Sequence, residues 1–203
     1  RALGSATRLD LARRPGRVSL GVRAAVTLGG PGGRALGYDR ILDADSMGYL
    51  GPNLNWVTMP DQYTWSRMHE VVLGDANAPV FAELSLISSH APWVPVLPVL
   101  KDWQSIGRGE VFEPWRQAGE TPASLWQDPE RVRQHYAQAV SYSIDVIAGY
   151  IENRMNDRTL LVVMGDHQPA PLVTGEGASR DVPVHLISAD PGLLEPFTGT
   201  AGQ

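Results

Sequence analysis

The 203-residue sequence contains no cysteine and one lysine, Lys101. Without a thiol there is no disulfide, no thiolate metal site and no cysteine nucleophile. The compartment stays open, because a chain without cysteine suits either redox environment. No apolar run approaches the ~18 to 20 residues that a membrane-spanning helix needs, so the chain itself is expected to be soluble. The net charge of −5 and the absence of a basic stripe with interleaved aromatics argue against nucleic-acid binding. Also missing are a Gly-x-Ser-x-Gly elbow, a Walker loop and a Gly-x-Gly-x-x-Gly after a strand. Internal repeats and low-complexity tracts are absent.

What is present is a 43% hydrophobic chain able to bury one core of ordinary size. Over residues 1–40 eight Arg face only Asp10 and Asp39, a formal +6, which leaves −11 on the remainder. That asymmetry suits either an anion-attracting surface or a chain whose default cation is Arg. Residues 1–37 read as an Arg/Gly-rich amino-terminal segment, broken at Gly29-Gly30-Pro31-Gly32-Gly33. Val18 to Thr27 fits a short strand or a short helix. Residues 38–203 read as the folded part. The start, Arg1-Ala2-Leu3-Gly4, has neither an initiator Met nor a signal-peptide pattern, as expected of a piece of a longer protein.

Tyr38 to Trp56 reads as an irregular surface segment, and Pro60-Asp61 opens a helical stretch through Leu73. Residues 80–87 have a strand pattern and lead into Ser88-Ser89-His90-Ala91-Pro92-Trp93. Four prolines punctuate Val94 to Trp126, which reads as a long excursion of the kind that often binds ligands. Asp128-Pro129-Glu130 is a helix start, with Asp as cap and Pro at the first position, and the helix is expected to reach about Asn156. Its buried face is expected to carry Val132, Tyr136, Ala139, Val140, Ser143, Ile147 and Ile151. A buried strand at 159–164 ends in Gly165-Asp166-His167, and a last strand follows at 182–188.

Strand, helix, strand in that order predicts a βαβ crossover and therefore parallel strands whose carboxyl ends share one rim. The expected fold class is α/β, a mostly parallel sheet flanked by helices. On that rim His90 meets the Asp166-His167 pair. A carboxylate beside an imidazole suits a divalent ion holding an anionic ester, although Asp166 can equally cap a turn with His167 solvated. His90 is either a polar loop residue, a hydrogen-bond partner for an anionic oxygen, or a general acid. Trp93 can stack on a ligand or pack. Arg180 beside Asp181 can form an ion pair or fork onto a phosphate. His185 fits a metal ligand or a core histidine, while His69 and His135 read as surface residues. Ser88 and Ser89 adjoin His90, but nothing visible activates them.

Ser88 to Trp93, Tyr142-Ser143-Ile144-Asp145, Leu161 to Pro169 and Asp181-Val182-Pro183-Val184 together resemble the carboxyl half of the alkaline-phosphatase-like superfamily, nearest to sulfatase-type transferases related to lipoteichoic acid synthase. Met59-Pro60-Asp61-Gln62-Tyr63 is similar to the segment before their His-bearing strand, and the likeness spans about residues 38–190. The resemblance implies an incomplete, carboxyl-terminal part of an alkaline-phosphatase-like domain. It implies metal-assisted hydrolysis or transfer of phosphate or sulfate esters, including phosphoglycerol and lipid-linked head groups. Asp166 and His167 match its metal ligands for Mn, Zn or Mg, and His90 its substrate-contacting His; Trp93 and Arg180 are candidate substrate-binding residues on the reading of the residues alone. Its nucleophile and remaining acidic ligand lie in an amino-terminal half not represented here, so the chain alone is expected to be inactive. Family members are often membrane-anchored and extracytoplasmic. The Gly-x-His element of the classical-sulfatase signature is absent after His167. A non-catalytic anion- or metal-binding domain is the alternative.

Overall fold

Asp128 shows how locally the longest element is specified. Its carboxylate accepts the backbone N–H groups of Glu130 (3.0 Å) and Arg131 (3.3 Å). Pro129 takes the first helical position, and the helix runs to Arg154. The computed structural model describes residues 22–26, 38–74 and 79–198. The elements are β1 (Val22–Val26), β2 (Arg40–Leu42), α1 (Asp61–Met68), β3 (Val80–Leu84), α2 (Pro122–Leu125), α3 (Pro129–Arg154), β4 (Leu161–Met164), α4 (Pro171–Thr174), β5 (Val184–Ile187) and α5 (Pro191–Thr198). A π-helical turn, His69–Leu73, follows α1, closed by Gly74 N–H on His69 O at 2.7 Å. Apart from Val22–Val26, the amino-terminal segment 1–37 lies outside the described residues.

The described residues form two compact units, one within Arg1–Met47 and Met68–Ser85, the other within Gly48–Arg67 and Leu86–Gln203. The first holds a three-stranded parallel sheet in the order β2-β1-β3, with Val22 to Val26 paired in register with Val80 to Leu84. Tyr38 donates its hydroxyl to Glu83 and stacks on Phe81. The second unit holds a separate antiparallel pair, β4 with β5, in which Leu161 faces Ile187 and Met164 faces Val184.

This arrangement corrects the expected fold class. Instead of one mostly parallel, alkaline-phosphatase-like sheet flanked by helices, there are two small sheets, and β3 and β4 belong to different ones. The βαβ crossover therefore does not form. Order along the chain says which strands are consecutive but not which pair, and β3 finds its partner in β1. Nor is β4 a buried strand: Val162 and Met164 on one strand, with Val184 on the other, are each half or more exposed. Val162 opposite Leu186 and Met164 opposite Val184 share one face of the pair.

The core of the second unit gathers Trp93, Val94, Leu125, Val132 and Ala139, with Leu172 and Val173 of α4 packed against it. The buried face of α3 is Val132, Ala139, Tyr142, Ser143, Val146 and Tyr150. It shares the expected start but turns toward Tyr142, Val146 and Tyr150 in place of Val140, Ile147 and Ile151. The reason is aromatic packing: Trp65 and Trp103 both meet Tyr150, and Gly149 leaves room for the Trp103 indole, which lies 3.3 Å from where a Cβ would stand. The proline-punctuated stretch from Val94 to Trp126 is core as much as loop. It buries Leu97, Trp103, Ile106, Phe112 and Leu125 and includes a 3-10 turn, Glu110–Trp115. Its entry is clamped by buried Gln62, whose amide donates to Leu100 O at 2.7 Å and accepts Leu100 N–H at 2.9 Å.

Candidate functional site

β4 ends where its ladder does: Gly165 N–H still reaches Pro183 O at 3.2 Å, and the next two residues turn outward. Asp166 and His167 are 90% and 68% exposed at their side chains. Asp166 Oδ1 accepts the His167 backbone N–H at 2.9 Å, the turn-capping role open to any Asp here. His167 Nδ1 lies 2.8 Å from Gln168 O; a carbonyl only accepts, so Nδ1 carries a proton, and in the neutral ring Nε2 has the lone pair. That lone pair lies 3.6 Å from Asp166 Oδ2. The separation is too long for a good hydrogen bond and suits two donors on one ion, at the ~2.0–2.2 Å that zinc takes from nitrogen and oxygen. Gln168 then donates to Asp181 O, tying this turn to the approach to β5.

His90 is positioned differently. Oδ1 of Asp61, the first residue of α1, accepts Ile87 N–H and Ser88 N–H, both at 2.9 Å, and Asp61 N–H donates to Ser88 Oγ at 3.1 Å. His90 N–H closes the turn on Ile87 O at 2.9 Å. The exposed ring stacks on Trp56, centroids 4.2 Å apart and planes 25° from parallel, and Nδ1 donates to Ala91 O at 2.7 Å. Ser88, a neighbouring hydroxyl, is engaged as the acceptor for Asp61 rather than poised as a nucleophile.

No family model, curated protein or solved structure matches this chain.

The crossover that was to bring His90 and the Asp166-His167 pair to one rim is absent, so the sheet no longer joins them. Among the described residues no three His, Asp or Glu side chains gather closely enough to hold a metal ion. Trp93 is only 5% exposed. Its indole stacks on Trp126 and meets Tyr136 edge-on, and Nε1 donates to Ser89 O at 2.9 Å. It holds a left-handed φ of 61°, a conformation costing a bulky residue ~1–3 kcal/mol that persists because these contacts over-determine it. Arg180 is exposed between α4 and β5, and His185 is exposed on β5 opposite Val163. His135 is half-buried: Nδ1 donates to Trp93 O at 3.1 Å and Nε2 lies 3.6 Å from Glu120.

Sequence reasoning missed Trp56, Asp61 and Gln62 as organisers. Trp56 and Asp61 lie close to His90 only in space. A hint was nevertheless present: Asp61 and Gln62 follow Pro60 at a helix start, where an Asp side chain is free to reach backbone N–H groups. A groove of about 310 Å³ between Val96–Val99 and α3, with Gln138, Ser141 and Asp145 on its wall, contains none of the candidate residues. No helix among the described residues is long and apolar enough to cross a membrane.

Proposed function

We propose that this chain supplies part of a metal-assisted site that hydrolyses or transfers phosphate or sulfate esters, in a protein that the motif likeness to sulfatase-type transferases would place at the outer side of a membrane. The observation that carries this reading is the Asp166–His167 pair, an exposed carboxylate oxygen and an imidazole lone pair 3.6 Å apart at the end of β4. Such a pair would hold two positions of a Mn, Zn or Mg ion, which when bound neutralises charge developing on the ester oxygens. Gln168 O keeps His167 in the ligating tautomer. Arg180 offers a forked cation to an anionic group, and His90, which no shared sheet joins to the pair, would contact the substrate through Nε2 on the strength of the motif likeness alone. The nucleophile and the remaining ligands come from residues other than those described.

The same pair fits a second reading, a domain that binds an anion or a metal without catalysis. Calorimetric titration with Mn²⁺ and Zn²⁺ tests both. The wild type is expected to show one weak site that Asp166→Ala and His167→Ala each abolish. Equal heats for all three proteins overturn the assignment.

A further inference from the structure

Trp56 sits at the tip of a tight turn closed by Leu54 N–H on Val57 O (3.0 Å) and Val57 N–H on Leu54 O (3.1 Å). Both flanking side chains are buried. Asn55, at a left-handed φ of 56°, donates its amide to Val94 O at 2.8 Å. The turn is thus anchored on both sides of Trp56, yet the indole it presents is 51% exposed. The half-exposed indole is thus delivered rigidly, face to face, onto one imidazole. The His90 backbone is held from beneath through Ile87 and Ser88 by Asp61. The ring is held in plane by Nδ1–H on Ala91 O and across its face by Trp56.

We propose that Trp56 is a positioning residue, which by stacking on His90 keeps the imidazole in one rotamer and in the Nδ1–H tautomer, with the Nε2 lone pair turned outward. A neutral ring held this way accepts a hydrogen bond. The ligand group it meets is then a donor, an alcohol hydroxyl or water, rather than a bare anionic oxygen; that this hydroxyl takes part in ester chemistry rests on the function proposed above. Multiple-bond ¹H–¹⁵N correlation spectra of the His90 ring, at a pH where it is neutral, test the claim. The wild type is expected to show the Nδ1–H pattern and ring protons shifted upfield by the indole. Trp56→Ala is expected to lose the upfield shift and to average the two tautomers, and Trp56→Phe to restore the wild-type pattern. An Nε2–H tautomer or the lack of an upfield shift in the wild type, or unchanged tautomer signals in Trp56→Ala, overturns the proposal; should Trp56→Ala not fold, Trp56→Leu, which keeps an apolar side chain on the turn but no ring, is the variant read in its place. A chain that binds no Mn²⁺ but shows the Trp56 effect sinks the ester reading alone.

Discussion

Ser143 donates its hydroxyl to Oδ2 of Asp61 at 2.7 Å, across 82 positions of sequence. Both residues are buried. With Ile87 and Ser88 on Oδ1, one fully buried side chain joins the first residue of α1, the turn leading to His90 and the middle of α3. Buried donors that lose their acceptor cost ~1–3 kcal/mol each. Asp61→Ala is therefore expected to destabilise the protein by about 3 kcal/mol or more. Ser143→Ala, which removes one donor, is expected to cost about 1–2 kcal/mol. Urea denaturation measures both; an Asp61→Ala midpoint equal to wild type would show that the carboxylate is not the joint.

Gln62 makes a two-point clamp on the Leu100 backbone from a side chain with no solvent access. Gln62→Leu keeps the volume but orphans one N–H and one C=O, so a loss of about 2–4 kcal/mol is expected. Hydrogen exchange at Leu100 is the local readout. Unchanged protection there would place the restraint on this loop elsewhere.

Trp93→Ala is expected to cost about 3–5 kcal/mol, the range for emptying a large aromatic from a core. Its indole meets Trp126 and Tyr136 rather than solvent. Thermal unfolding checks this, and a variant as stable as wild type would return Trp93 to the role of a ligand platform.

Burial raises the ionisation of the Tyr49 and Tyr150 hydroxyls above the ordinary tyrosine range. It does the same for Tyr142, with the Asp61 carboxylate adding to the shift. A phenol whose folded value is raised contributes stability that is full below its unfolded value, ~10, and is lost as pH climbs toward the folded one. Alkaline titration followed by tyrosinate absorbance is expected to show these three ionising together with the loss of circular dichroism. Ordinary, non-cooperative titration of all the tyrosines would contradict their burial.

Gly149→Ala places a Cβ 3.3 Å from Trp103, within the tight range where the indole must yield. Helix propensity favours Ala by ~1 kcal/mol. Trp103 is held between α3 and its own buried loop, so the clash is expected to offset that gain and leave the variant no more stable than wild type. A rise in melting temperature of several degrees would show that the indole moves freely.

Much of the local structure was legible in the residues themselves. Asp128 and Pro129 begin α3, because a cap and a fixed φ act within one turn of the chain. The positions of β3, β4 and β5 follow from β-favouring runs ended by polar or breaking residues. The covalent adjacency of Asp166 and His167 makes their proximity independent of any fold. The excursion from Val94 to Trp126 has little regular structure, as its prolines lead one to expect, yet much of it lies in the core. Proline interrupts regular hydrogen bonding, but it does not keep Trp103, Ile106 or Phe112 out of a core.

The ends of the long helix, the places of β3, β4 and β5 and the Asp166–His167 pair are thus written in the residues themselves, since each depends on neighbours a few bonds away, whereas β2 falls within a segment that reads as irregular. Tertiary structure alone decided that β3 pairs with β1 and β4 runs antiparallel to β5. It also decided that Asp61 meets Ser143 and that Trp56 lies on His90. Strand partners and buried hydrogen bonds are chosen by competition among distant segments for the same apolar surface and the same unsatisfied polar groups. No local pattern records which of them wins.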